Sequence, residues 1–139
     1  MQTLLDLNLS LEKQQKNELA IINNRIQILN DEKLQKEVEI TQIQNQTSKK
    51  LKTVCNIETL RNSNVYITGL NDKIKIIEEL LKEKNIQKQK VQDVLTETLI
   101  KRKSLEKLKE KQYKKYLAEV KNEEEKASDD FVTFSYLYG

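Results

Sequence analysis

Five apolar residues, Ile67, Leu70, Ile74, Ile77 and Leu81, recur at alternating spacings of three and four. This puts all of them on one stripe of an α-helix with the 3.5-residue repeat of a coiled-coil seam. Such a stripe has to be covered by another helix. Counted backwards it reaches Leu60, and forwards it runs through Lys84, Lys88, Val91, Leu95, Thr98, Arg102 and Leu105. The seam is therefore strong in the middle and dilutes toward the C-terminus. Lys84 and Lys88 are tolerable there because a lysine can lay its methylenes along apolar surface and carry its ammonium out to water. On the flanks Glu78 precedes Lys82, Glu97 precedes Lys101 and Glu110 precedes Lys114, each by four residues. Each such pair contributes roughly 0.2–0.5 kcal/mol to a solvated helix.

The chain has little with which to turn. It contains no proline, and Gly69 and Gly139 are its two glycines in 139 residues, of which 34% are charged and 5% aromatic. A globular domain of this length needs several loops built with Gly and Pro, so few, long helices are expected. The fold class this implies is all-α, a long antiparallel two-helix coiled-coil hairpin.

Composition also excludes chemistry. There is no histidine, which removes the commonest general base and the commonest metal ligand. With Cys55 as the single cysteine, a structural zinc site within the chain and a dithiol redox pair are both excluded, and the thiol is expected to behave as a small hydrophobe. No glycine-rich phosphate loop and no nucleophile elbow occurs. The many carboxylates sit on periodic helices as solvated flank charges. No enzyme activity, catalytic residue, cofactor or metal is expected. No apolar run is long enough to span a bilayer and no secretory signal is visible, which suits an intracellular chain in a reducing compartment.

A first helix is expected over about 3–44. Thr3 followed by Asp6 resembles a capping box, and Leu19, Ile22, Ile26 and Leu29 form a clean seam. The step of five from Leu29 to Leu34 breaks the heptad, predicting local unwinding before Val38, Ile40 and Ile43. Two polar runs compete for the turn: Gln44 to Thr53, and Arg61 to Asn64. Both contain side chains that compete for backbone hydrogen bonds. Two arguments favour the earlier run. Leu60 keeps step with Ile67, as in one unbroken helix, and a turn near residue 50 sets Ile26 against Ile74, Ile22 against Ile77 and Leu19 against Leu81. The expected organisation is a hairpin over 1–126, with its turn at about 45–54 and a second helix over about 55–126. A C-terminal tail follows over 127–139.

The second helix then overhangs the first by some twenty-five residues. From Lys101 to Lys115 it carries eight bases against Glu106 and Glu110. From Glu119 to Asp130 six acids face Lys121 and Lys126. The overall charge of +3 conceals these opposed blocks. Acids near a helix C-terminus oppose its dipole, so fraying is expected there. Leu105, Leu108, Tyr113, Tyr116, Leu117 and Val120 are either a ragged core stripe or, if the turn is early, an uncovered face. The candidate partner-binding set is Lys101, Arg102, Leu105, Leu108, Lys109, Tyr113, Tyr116 and Leu117. The tail FVTFSYLYG continues no heptad and is expected to be loosely held.

Several stretches together resemble the FliJ family of flagellar export proteins, which are similar to the stalks of virulence type III secretion systems. They are Leu4-Leu5-Asp6-Leu7, Glu12 and Leu19; Leu60 ahead of Tyr66-Ile67 and Leu70; Lys103-x-Leu105-Glu106-x-Leu108-Lys109-Glu110 and Tyr116; and Glu125-Lys126-x-x-Asp129-Asp130. The resemblance spans nearly the whole chain and implies the early turn. It also implies a cytoplasmic hairpin, peripheral at the cytoplasmic face of the membrane. There it would couple a hexameric export ATPase ring to the membrane export gate protein. Where the family often carries basic residues after its acidic pair, this chain has Phe131, Val132, Thr133 and Phe134. Two other classes stand beside this one. A structural coiled coil that simply dimerises would be seen as a doubled mass, against a monomeric intramolecular hairpin. A basic nucleic-acid-binding helix is opposed by the scatter of its lysines and the neighbouring acids. No nucleic-acid partner is expected.

Overall fold

Without proline, and with Gly69 as the one glycine between Gln2 and Tyr138, nothing in the sequence forces the backbone out of helix. In a computed structural model, described over residues 2–53 and 57–138, every described residue is helical. α1 spans Gln2–Thr53 and α2 spans Ile57–Tyr138, and the two pack against each other as a hairpin. No described residue is in a strand.

The expected turn is corrected by this. Gln44 to Thr53 is helical, and α2 is also unbroken through Arg61 to Asn64, so neither polar run holds the turn. The connection falls between Thr53 and Ile57. Its residues 54–56, Cys55 among them, lie outside the described residues. Gln44, Gln46, Lys49, Lys50 and Lys52 are good helix formers, and Lys50 and Lys52 in the last turn complement the helix dipole. The Thr53 hydroxyl donates to the carbonyls of Lys49 and Lys50, at 3.4 and 3.0 Å, occupying acceptors that the end of a helix leaves open. At the other end α1 starts at Gln2. There the Gln2 side-chain amide donates to Asp6 at 3.1 Å, in place of the expected Thr3 cap.

Contacts group the chain into two units, Gln14–Leu95 and Met1–Lys13 with Thr96–Gly139. In the first, Thr47 Oγ1 and Ser63 Oγ lie 2.6 Å apart, and Lys33 Nζ lies 3.3 Å from Glu78 Oε1. Carried along both helices, the Thr47–Ser63 register layers Ile43 with Ile67, Ile40 with Leu70, Lys36 with Ile74, Lys33 with Ile77, Leu29 with Leu81, Ile26 with Lys84 and Ile22 with Lys88. All of these residues are buried or half-buried. The expected facing of Ile26 with Ile74 is thus wrong by more than two turns, as follows from a connection beyond residue 53.

The first helix keeps its heptad where a break was expected. Lys33 and Lys36 occupy the seam positions between Leu29 and Ile40, while Leu34 and Val38 are 59% and 48% exposed. The register layers each seam lysine with an isoleucine. Ile74 and Ile77 are buried, and the Lys33 ammonium reaches Glu78 at the flank. Leu60 keeps the heptad spacing along an unbroken α2 but is 42% exposed, and Ser63, three residues on, takes the inward position opposite Thr47.

In the second unit Leu5 is buried and Leu105 half-buried, and the neighbouring seam positions are polar. Asn8 and Glu12 follow Leu5 at heptad spacing on α1, with Thr98 and Arg102 on α2. α2 continues as helix to Tyr138, so the expected tail at 127–139 and the expected end near residue 126 are corrected. No glycine or proline stops the helix before Gly139. The rings of Phe134 and Tyr138, one turn apart, stack with centroids 5.0 Å apart.

Candidate partner-binding surface

The eight candidate residues divide at the point where α1 begins. Lys109 Nζ donates to the Gln2 side-chain carbonyl, so α2 up to residue 109 lies alongside the first turns of α1. Arg102 is held inside this contact. Its Nε lies 2.6 Å from Glu12 Oε2, and its NH1 donates to Glu106 Oε1 at 3.0 Å. The hydrogen bond to Glu106, aided by the charges of both carboxylates, raises the Arg102 pKa above its already high ordinary value despite partial desolvation. The guanidinium is therefore a permanent charge in the seam. Leu105 is half-buried in the next inward position.

Arg102, Leu105 and Lys109 thus act first within the hairpin, and the expected overhang from Lys101 is corrected to one beginning at residue 110. Lys101 is exposed beside them, and Leu108 is 45% exposed. From residue 110 to residue 138 every residue is exposed except Val120, which is half-buried. Tyr113 and Tyr116 stand about three-fifths exposed and Leu117 nearly half. The expected Glu110–Lys114 pair forms at 3.2 Å. An isolated helix of such length is marginal in water, since most helical stability in proteins comes from a packed face. An exposed set of large apolar side chains on it is what a partner surface looks like before it is covered.

Two apolar groups escaped the sequence reading. Phe131, Phe134 and Tyr138 share a helical stripe by their spacing of three and four, a signal hidden by treating the segment as a tail. Leu4, Leu7 and Leu11 have the same spacing and are exposed on the opening turns of α1. Among the described residues no group of three or more His, Cys, Asp or Glu side chains gathers to hold a metal ion. No described helix is long and apolar enough to cross a membrane.

Comparison with known proteins adds a family. The sequence pattern of the FliJ family, described as flagellar FliJ protein, matches residues 1–138. The flagellar FliJ protein of Bacillus subtilis (strain 168) is 34% identical over 82 residues, which is 59% of this chain and 56% of that relative's length. The chain's match thus spans a little over half of the relative. No solved structure matches the chain.

Proposed function

The chain belongs to the FliJ family of flagellar export proteins, and from that premise we propose that it is a non-enzymatic coiled-coil stalk of the export apparatus. It would couple a hexameric export ATPase ring to the membrane export gate, on the cytoplasmic face of the membrane. The observation that supports this most is the uncovered length of α2 past Lys109, where Tyr113, Tyr116 and Leu117 stand exposed beside a run of lysines. A tyrosine-bearing helix with no covering helix of its own can enter a concave partner. Basic residues beside it raise the encounter rate with an acidic one.

In this reading Arg102, Leu105 and Lys109 fasten the root of the overhang to α1, while Lys101, Leu108, Tyr113, Tyr116 and Leu117 meet the ring. The chain supplies no catalysis of its own and acts by being gripped at one end and transmitting position to the other. Co-purification of the full chain with the export ATPase and with the cytoplasmic part of the gate protein tests it. Retention by both supports the coupling role, and retention by neither contradicts it.

A further inference from the structure

The overhang carries a second seam. Past Leu105 three steps of four, through Lys109 and Tyr113 to Leu117, replace the alternating steps. From Tyr113 the heptad resumes through Leu117, Val120, Glu124, Ala127, Phe131, Phe134 and Tyr138. At about 100° per residue these steps turn Leu117 by roughly 120° from Leu105, and centre the stripe as a whole about 70° away from it. The second seam is therefore contiguous with the intramolecular interface and directed away from it. Another helix can lie on it without displacing α1.

We propose that this seam pairs with a second copy of the chain, antiparallel, about a two-fold axis between Glu124 and Ala127. Three features of the stripe select this occupant. The stripe runs about 26 residues, nearly four heptads, which is the length over which a two-stranded coil sustains itself. Its spacing reads the same in both directions, so an antiparallel copy brings every seam residue opposite another: Tyr113 with Tyr138, Leu117 with Phe134, and Val120 with Phe131. The one charged seam residue, Glu124, then lies opposite the small Ala127. A parallel copy would set Glu124 against Glu124 and lay the basic block of Lys101 to Lys115 on itself as well as the acidic one. The self-complementary patch is what an isologous interface requires.

The flanks set the conditions. Tyr116 and Leu137 occupy matching flank positions and widen the apolar contact, while Glu123 and Asp130 meet as like charges. Pairing therefore strengthens with added salt, which screens that repulsion. Tyr113 and Leu117 are shared with the ring contact proposed above, so one copy cannot make both contacts at once. The pairing does not rest on that function.

Sedimentation equilibrium of the full chain, from micromolar to millimolar concentration, tests it. The mass rises from 16.4 kDa toward twice that value, more readily at high salt. Leu117→Glu with Phe134→Glu keeps the chain at the monomer mass, and Glu124→Leu tightens pairing about tenfold or more. In a Cys55→Ser background, a mixture of Val120→Cys and Phe131→Cys chains cross-links through a short bis-maleimide, and Val120→Cys alone does not. A monomer mass throughout the range overturns the proposal whether or not the ATPase is bound. Cross-linking of Val120→Cys chains to themselves in preference to Phe131→Cys overturns the antiparallel register.

Discussion

Thr47 and Ser63 meet hydroxyl to hydroxyl at 2.6 Å across the hairpin, where apolar side chains would ordinarily meet. The pair favours this register of the helices near their connection, because a slip by one heptad would set Thr47 opposite Leu70 or Ser63 opposite Ile40. Replacing Ser63 alone by valine strands the buried Thr47 hydroxyl and costs about 1–3 kcal/mol. Replacing both by valine recovers most of that loss. Urea melts of the three chains check it, and a double variant as weak as the single one would count against the pairing.

The seam lysines give a second test. Lys33 and Lys36 are half-buried at inward positions, whereas Leu34 is 59% exposed. Lys36→Leu should stabilise the hairpin by about 1 kcal/mol through added apolar burial. Leu34→Asp should change stability by no more than about 0.5 kcal/mol. Thermal melts with the opposite ranking would place the first helix's seam on Leu34.

How far the sequence announced this arrangement depends on which residues carry the signal. Leu70, Ile74 and Ile77 are buried where their spacing puts them, because alternation of three and four has one physical meaning. Lys33 and Lys36 hid the continuation of the first seam, since a charged residue signals an inward position only through the partner its ammonium reaches. The turn was misplaced for a related reason. Asn45, Thr47, Ser48 and Thr53 weaken a helix by tenths of a kilocalorie each, and packing across the hairpin outweighs that. The types of the residues exposed past Lys109, aromatic and basic, were legible, but where that exposed length begins was not. That Arg102 and Lys109 serve the hairpin follows from Glu12 and Gln2, which are 90 and 107 residues away in sequence.

Gly69 offers a test free of packing. It lies in α2 with open space where a Cβ would stand. Gly69→Ala should therefore stabilise the chain by about 1 kcal/mol, through lower unfolded-state entropy and higher helix propensity. A loss of stability would show that something covers this position in solution.

The Glu12–Arg102 contact is a charged layer in the seam, with Glu12's side chain 8% exposed and Arg102's 24%. Arg102→Ala removes a cation from beside that carboxylate and should lower stability, by less than for a fully buried pair because Arg102 is partly solvated. Leucine at both positions should be neutral or stabilising. Equal losses in the two variants, measured by urea melts, would mean that packing rather than charge matters here.

Ile74 and Lys101 separate core from surface. Ile74 is 8% exposed and Lys101 lies outside the seam. Ile74→Asp should cost about 3 kcal/mol or more, combining lost burial with a desolvated carboxylate, and Lys101→Asp about 0.5 kcal/mol at most. Similar melting midpoints for the two would contradict the seam.

Binding of the export ATPase by a variant carrying Tyr113→Ala, Tyr116→Ala and Leu117→Ala tests most directly whether the overhang meets the ring. All three side chains are exposed beyond the end of α1, so the far-UV helical signal and the melting of the hairpin should stay close to those of the unaltered chain. Affinity for the ATPase, measured by titration calorimetry, should weaken by about 1–4 kcal/mol. Unchanged affinity and unchanged ATPase stimulation by a folded triple variant would contradict the account and move the ring contact elsewhere on the hairpin.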